Sequence, residues 1–114
     1  MFGMSGSARV FLCHQPINLR KSFEGLSKIV TEEFKENLIS HSYYVFINRG
    51  RNLMKVLYFD GDGLAIWAKR LEKGRFPKSK NEKPVIERKD FFMMLEGIVP
   101  KRMHKRYRVE KNSE

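Results

Sequence analysis

The stretch Tyr43–Leu71, YYVFINRGRNLMKVLYFDGDGLAIWAKRL, decides the fold. Its three apolar runs, Tyr43–Asn48, Leu53–Phe59 and Leu64–Leu71, are rich in β-branched and aromatic residues and are separated by two short polar breaks. The first break, Arg49-Gly50-Arg51-Asn52, holds a glycine able to take positive φ, and the second, Asp60-Gly61-Asp62-Gly63, contains the Asp-Gly pair favoured in tight hairpins. Three consecutive strands joined in this way form an antiparallel meander. Val56–Phe59 is apolar on both alternations, as expected of a strand covered on both faces.

Outside the meander, Arg9–His14 reads as a strand stopped by Pro16, and Asn18 reads as the start of a long helix reaching about Asn37. Leu19, Phe23, Leu26, Val30 and Phe34 recur at spacings of three and four, so one helical face is apolar. Arg75-Phe76 opens a short edge strand before the lysine-rich loop PKSKNEKP. A short strand and a second helix near Asp90–Glu96 follow, with Gly97 as its C-cap. The expected fold is α+β: an antiparallel β-meander sheet of about four to six strands, one long helix packed on a face and a second short C-terminal helix. The expected organisation is a flexible N-terminus over residues 1–8, a single domain over 9–99 and a basic tail over 100–114.

The asparagine-free acid content of the second break invites chemistry, and each version fails on spacing. Counted from Asp60 as a calcium loop, the positions that need an oxygen ligand (five), a glycine (six) and a glutamate (twelve) hold Leu64, Ala65 and Leu71. As a dinucleotide fingerprint, Gly61-Asp62-Gly63 is followed by Ile66 where a third glycine belongs, and by a strand where a helix should open. Asp60 and Asp62 could help hold magnesium for a nuclease, but no further acid stands at a diagnostic spacing, and the turn is the better reading. Cys13 and His14 are strand neighbours on opposite faces and cannot work as nucleophile and base. Neither a cofactor nor a metal is called for, and the reading is of a protein without catalytic function.

Charge points elsewhere. The 114-residue chain carries 23 Lys and Arg against 13 Asp and Glu, a formal +10, which makes a polyanion, nucleic acid first, the leading partner class. Arg49, Arg51 and Lys55 surround the first hairpin, Lys69, Arg70, Lys73 and Arg75 crowd the end of the third meander strand, and Lys101, Arg102, Lys105 and Arg106 lie in a tail with no acid before Arg108. Such residues contact phosphate oxygens in a sequence-independent, salt-sensitive manner. Trp67 is a candidate for base stacking, weighed against partial burial in the core. A single cysteine and the absence of a signal-peptide core or apolar span suggest a cytoplasmic protein that does not use the membrane.

Three segments, RVFLCHQPINLRKSFEGLSKIV, YVFINRGRNLMKVLYFDGDGLAIWAKRLEKGRF and LEGI, occur in this order, and together they resemble the TnpB or second-reading-frame accessory proteins of insertion sequence sixty-six elements. These are distinct from the RNA-guided nuclease that shares the TnpB label. The pattern falls on Arg20, Lys21, Phe23, Gly25, Leu26, Arg51, Lys55, Asp60, Gly61, Gly63, Lys69–Leu71, Glu72, Gly74, Arg75 and Phe76, while Ser22 stands where glycine is common and the tail lies outside it. The resemblance implies a non-catalytic helper of DNA transposition that assists a separate transposase. Its implied partners are the DNA of the element ends, that transposase and a further accessory subunit. Two other readings stay open: an adaptor that touches the transposase without touching DNA, and a metal-dependent nuclease.

Overall fold

The computed structural model describes residues 8–79 and 82–96. It contains five strands, β1 (Val10–Leu12), β2 (Tyr43–Ile47), β3 (Leu53–Asp60), β4 (Gly63–Arg70) and β5 (Val85–Ile86), with helix α1 (Phe23–Ile29) between β1 and β2 and helix α2 (Arg88–Leu95) after β5. The meander forms as its spacing requires. β2 pairs antiparallel with β3 from Tyr43 opposite Tyr58 to Ile47 opposite Met54, and β3 pairs with β4 from Leu53 opposite Arg70 to Asp60 opposite Gly63. The two-residue link between β3 and β4 places Gly61 at φ 68, a conformation that glycine adopts without a Cβ penalty.

The sheet as a whole is mixed, which corrects the antiparallel expectation. Its order is β4-β3-β2-β1-β5, with β1 parallel to β2 and β5 antiparallel to β1. The cause is the helix between the first two strands: a strand, a helical crossover and a second strand return the chain in the same direction. The fold is α+β overall.

The first helix is much shorter than the Asn18–Asn37 expectation. Asn18 does cap a backbone group, but its Oδ1 accepts from the Arg20 N–H at 3.0 Å and its carbonyl from the Lys21 N–H at 3.2 Å, so it closes a turn rather than opening a helix. α1 starts only after Ser22, which is extended. At the other end the chain widens into a π-helical turn, Val30–Phe34, and stops at Lys35, whose left-handed backbone (φ 55, ψ 39) lets its N–H reach the carbonyl of Val30. Phe23, counted on the apolar face of a longer helix, is left 44% exposed at the first turn. No strand forms at Arg75-Phe76. Phe76 is instead buried in the core. The expected C-cap at Gly97, the N-terminal segment 1–7 and the basic tail lie outside the described residues.

Apolar clusters cover both faces of the sheet, as the double alternation of β3 implied. On one face Leu26 and Val30 of the α1 segment, together with Leu19, close over Phe11, Tyr44, Phe46 and Leu57, and the rings of Phe11 and Tyr44 stack at 5.2 Å. On the other, Phe91, Met94 and Leu95 of α2 join Phe76 over Val10, Leu12, Val45, Ile47, Met54 and Val56. Val56 and Leu57, neighbours in β3, are each fully buried on opposite sides. Replacing Phe91 by Ala is expected to cost about 3–5 kcal/mol of unfolding free energy through lost burial and a cavity. Phe23→Ala should change stability by no more than about 0.5 kcal/mol. Urea unfolding of both variants checks the assignment of inside and outside.

Candidate nucleic-acid interface

The turn between β2 and β3 is organised by Asn48. Its Oδ1 accepts from the N–H groups of Asn52 and Leu53 at 3.0 and 3.1 Å, and its Nδ2 donates to Asn52 Oδ1 at 2.7 Å. The Arg51 N–H closes the turn onto the Asn48 carbonyl at 3.0 Å. The left-handed residue here is Arg51, at φ 59, and not Gly50. Arg49 and Gly50 are thereby carried on the exposed tip.

Beside this tip runs the loop from β1 to α1, held by the Ile17 N–H donating to the Ile47 carbonyl at 3.1 Å. Between loop, tip and the end of β4 lies an open groove of about 660 Å³. Arg20 of the loop, Arg49 of the tip and Arg70 of β4 line it together with Asn18 and Asn48, and no carboxylate does. All three arginines are exposed. Three cations brought together without an acid among them form a site suited to phosphate, since guanidinium groups bind phosphate oxygens in bidentate fashion.

The remaining cations named from the sequence are divided among different roles. Lys55 lies on the same sheet face as Arg70, and its Nζ donates to the Lys21 carbonyl at 3.3 Å beside the groove. Lys69 precedes Arg70 in the same strand and therefore points to the opposite face, where its Nζ donates to the Leu95 carbonyl at 2.9 Å at the end of α2. Arg51 faces inward: Nε donates to the Phe76 carbonyl at 2.8 Å and a terminal nitrogen to the Pro77 carbonyl at 2.7 Å. Burial lowers its pKa from the usual arginine range, and the guanidinium stays cationic at neutral pH. Lys73 and Arg75 are exposed in the turn after β4, where Gly74 takes φ 79. Lys101, Arg102, Lys105 and Arg106 lie outside the described residues. A single basic sheet face is thus not what the strands build, because alternation sends consecutive cations to opposite sides and apolar clusters occupy the centre of both.

Arg20, which lines the groove, is not among the cations singled out from the sequence, because the long-helix reading places it on a helix. The Asn18 side chain, a strong turn former, was the available signal. Asp60 and Asp62 are exposed around the β3–β4 turn, and among the described residues no group of three or more His, Cys, Asp or Glu could hold a metal ion. Cys13 is partly buried, with its thiol donating to the Gln15 carbonyl at 3.6 Å, and burial raises its pKa more than that bond lowers it. His14 pairs through Nε2 with the Lys83 carbonyl at 2.7 Å. Trp67 is half-buried against the α2 cluster rather than set out as a platform. No helix among the described residues is long and apolar enough to cross a membrane.

Comparison with known proteins agrees with the resemblance drawn from the motifs. The family model described as IS66 Orf2 like protein matches residues 8–105, which defines the class as an accessory protein associated with transposition of an insertion sequence. The chain belongs to this IS66 Orf2 like family. Among curated relatives in Sinorhizobium fredii, the uncharacterized protein y4hO is 31% identical over 94 residues, covering 81% of this chain and 82% of its own length. The uncharacterized protein y4jC is 25% identical over 100 residues, covering 86% of each. No solved structure matches.

The internal role of Arg51 has a direct test. Arg51→Lys keeps the charge but cannot span both carbonyls, so unfolding free energy should fall by about 1–3 kcal/mol while net charge is unchanged. A loss of stability below about 0.5 kcal/mol in urea unfolding would mean that the two side-chain bonds do not hold the segment after β4.

Proposed function

We propose that this protein is a non-catalytic accessory factor of transposition that binds DNA phosphates at the Arg20–Arg49–Arg70 groove and assists a separate transposase at the element ends. The observation that carries this reading is the groove itself, whose lining includes three exposed arginines from separate elements and no carboxylate. The formal charge of +10 and membership in the IS66 Orf2 like family support it. Lys55, Lys73 and Arg75 add cations on the surrounding surface, and Lys101, Arg102, Lys105 and Arg106 extend the supply along the chain. Lys69 and Arg51 serve the fold: Lys69 closes the end of α2, and Arg51 ties the segment after β4 to the first hairpin. Base-specific readout is not part of the proposal: the groove is lined by arginines and amides of two loops and the end of β4, and among the described residues no recognition helix lines it.

Fluorescence-anisotropy titration of duplex and single-stranded DNA over a range of salt concentrations tests it. Affinity should fall steeply with salt, and each of Arg20→Ala, Arg49→Ala and Arg70→Ala should weaken binding for all sequences alike and lower the salt slope by about one. Arg51→Lys should leave the slope unchanged. Absence of binding at low salt, combined with co-purification of the neighbouring transposase without DNA, would replace this reading by that of a protein adaptor.

A further inference from the structure

Phosphate contact accounts for the three arginines of the groove, but not for the apolar part of its wall. Pro16, Ile17, Leu19 and Leu53 line it as well. Ile17 and Leu53 pack against the α1-side cluster and are fixed by backbone bonds, Ile17 to the Ile47 carbonyl and Leu53 to Asn48 Oδ1, so this apolar floor is part of the built structure. Apolar surface gains nothing beside a phosphate, whereas the face of a nucleobase gains by leaving water against it. At about 660 Å³ the groove also falls within the range of about 300–1,000 Å³ found for sites that enclose an organic ligand. A nucleotide, with a charged end and a flat apolar one, matches both halves of the lining. In a duplex the bases are stacked on one another and present only their edges, so a base face reaches such a floor only from an unpaired strand.

A second apolar surface follows in the chain. Phe23, three residues beyond Arg20, is 44% exposed and belongs to neither apolar cluster. The bond from Lys55 Nζ to the Lys21 carbonyl holds the start of α1 on the groove side of the sheet, and Lys21 and Lys55 add cations along this stretch. Glu24, the next residue, is exposed but is not part of the groove wall. Granted the phosphate contact proposed above, on which this rests, we infer that the groove takes single-stranded DNA, with one base lying on Ile17 and Leu53, a neighbouring base stacked on Phe23, and the arginines on the phosphates between them. Stacking of this kind tolerates any sequence, because every base has a π-face, and it calls for no recognition helix.

The test is anisotropy titration of the full chain with a single strand and a duplex of equal length at the same salt concentration. Charge alone favours the duplex, which carries its phosphates at higher density and releases more counterions for each one neutralised. The expected result is the reverse, with the single strand bound about tenfold more tightly. An abasic strand keeps every phosphate and should bind about tenfold more weakly than the normal strand. Phe23→Ala should cost about tenfold on the normal strand, leave duplex binding and the salt slope unchanged, and be rescued by Phe23→Tyr. A duplex bound as tightly as the single strand, an abasic strand bound as tightly as the normal one, or a Phe23→Ala variant with undiminished single-strand affinity overturns the inference. The phosphate reading survives any of these results when binding still weakens with salt and with the arginine replacements. Binding that responds to neither removes both readings together.

Discussion

Arg51 joins two parts of the chain that would otherwise have little to do with each other. Its carbonyl accepts from the Phe76 N–H at 2.6 Å while its side chain donates to the carbonyls of Phe76 and Pro77, so one residue satisfies three backbone groups of the segment that follows β4. Buried carbonyls without partners are costly, and a planar guanidinium can reach two of them at once. With that segment tied to the first hairpin, Phe76 enters the core beneath α2, and the chain between Leu71 and Phe76 is drawn into a tight turn through Gly74. The left-handed backbone at Arg51 is the local cost of this arrangement.

The same constraint separates cations of the fold from cations of the surface. Arg49 and Arg51 are two residues apart, yet one ends on an exposed tip and the other inside. Lys69 and Arg70 are adjacent, yet one closes the end of α2 and the other lines the groove. A count of basic residues therefore overstates what is available to a polyanion. What makes the groove distinctive is convergence from three separate elements with no acid to neutralise it.

The meander was legible because each of its signals is local. Alternation in β3, the Asp-Gly turn and the polar break after Asn48 act within a few residues, and the observed strands differ from the expected ones by no more than one position at either end. The first helix misled because its apolar spacing continues across Asn18–Ser22, where a side-chain hydrogen bond from Asn18 outcompetes helix formation. The direction of β1 depends on a crossover rather than on any pattern within Val10–Leu12. Of the groove, Arg49 and Arg70 could be named from charge clustering, but Arg20 reaches it only through the Ile17–Ile47 contact, a pairing between distant residues that periodicity does not encode. The recruitment of Lys69 and Arg51 by carbonyls has the same origin.

The central position of β1 governs how the polypeptide can be built. Its neighbours come from Tyr43–Val45 on one side and Val85–Ile86 on the other. As the chain leaves the ribosome, β2, β3 and β4 can zip together from contacts close in sequence, whereas β1, made first, must wait for the crossover to bring it alongside β2. Even then its far side stays open until Ile86 has been synthesised. Among the described strands, the first to be made is thus the one whose pairing is completed last, and an apolar triplet, Val10-Phe11-Leu12, must be sheltered until Ile86 has emerged.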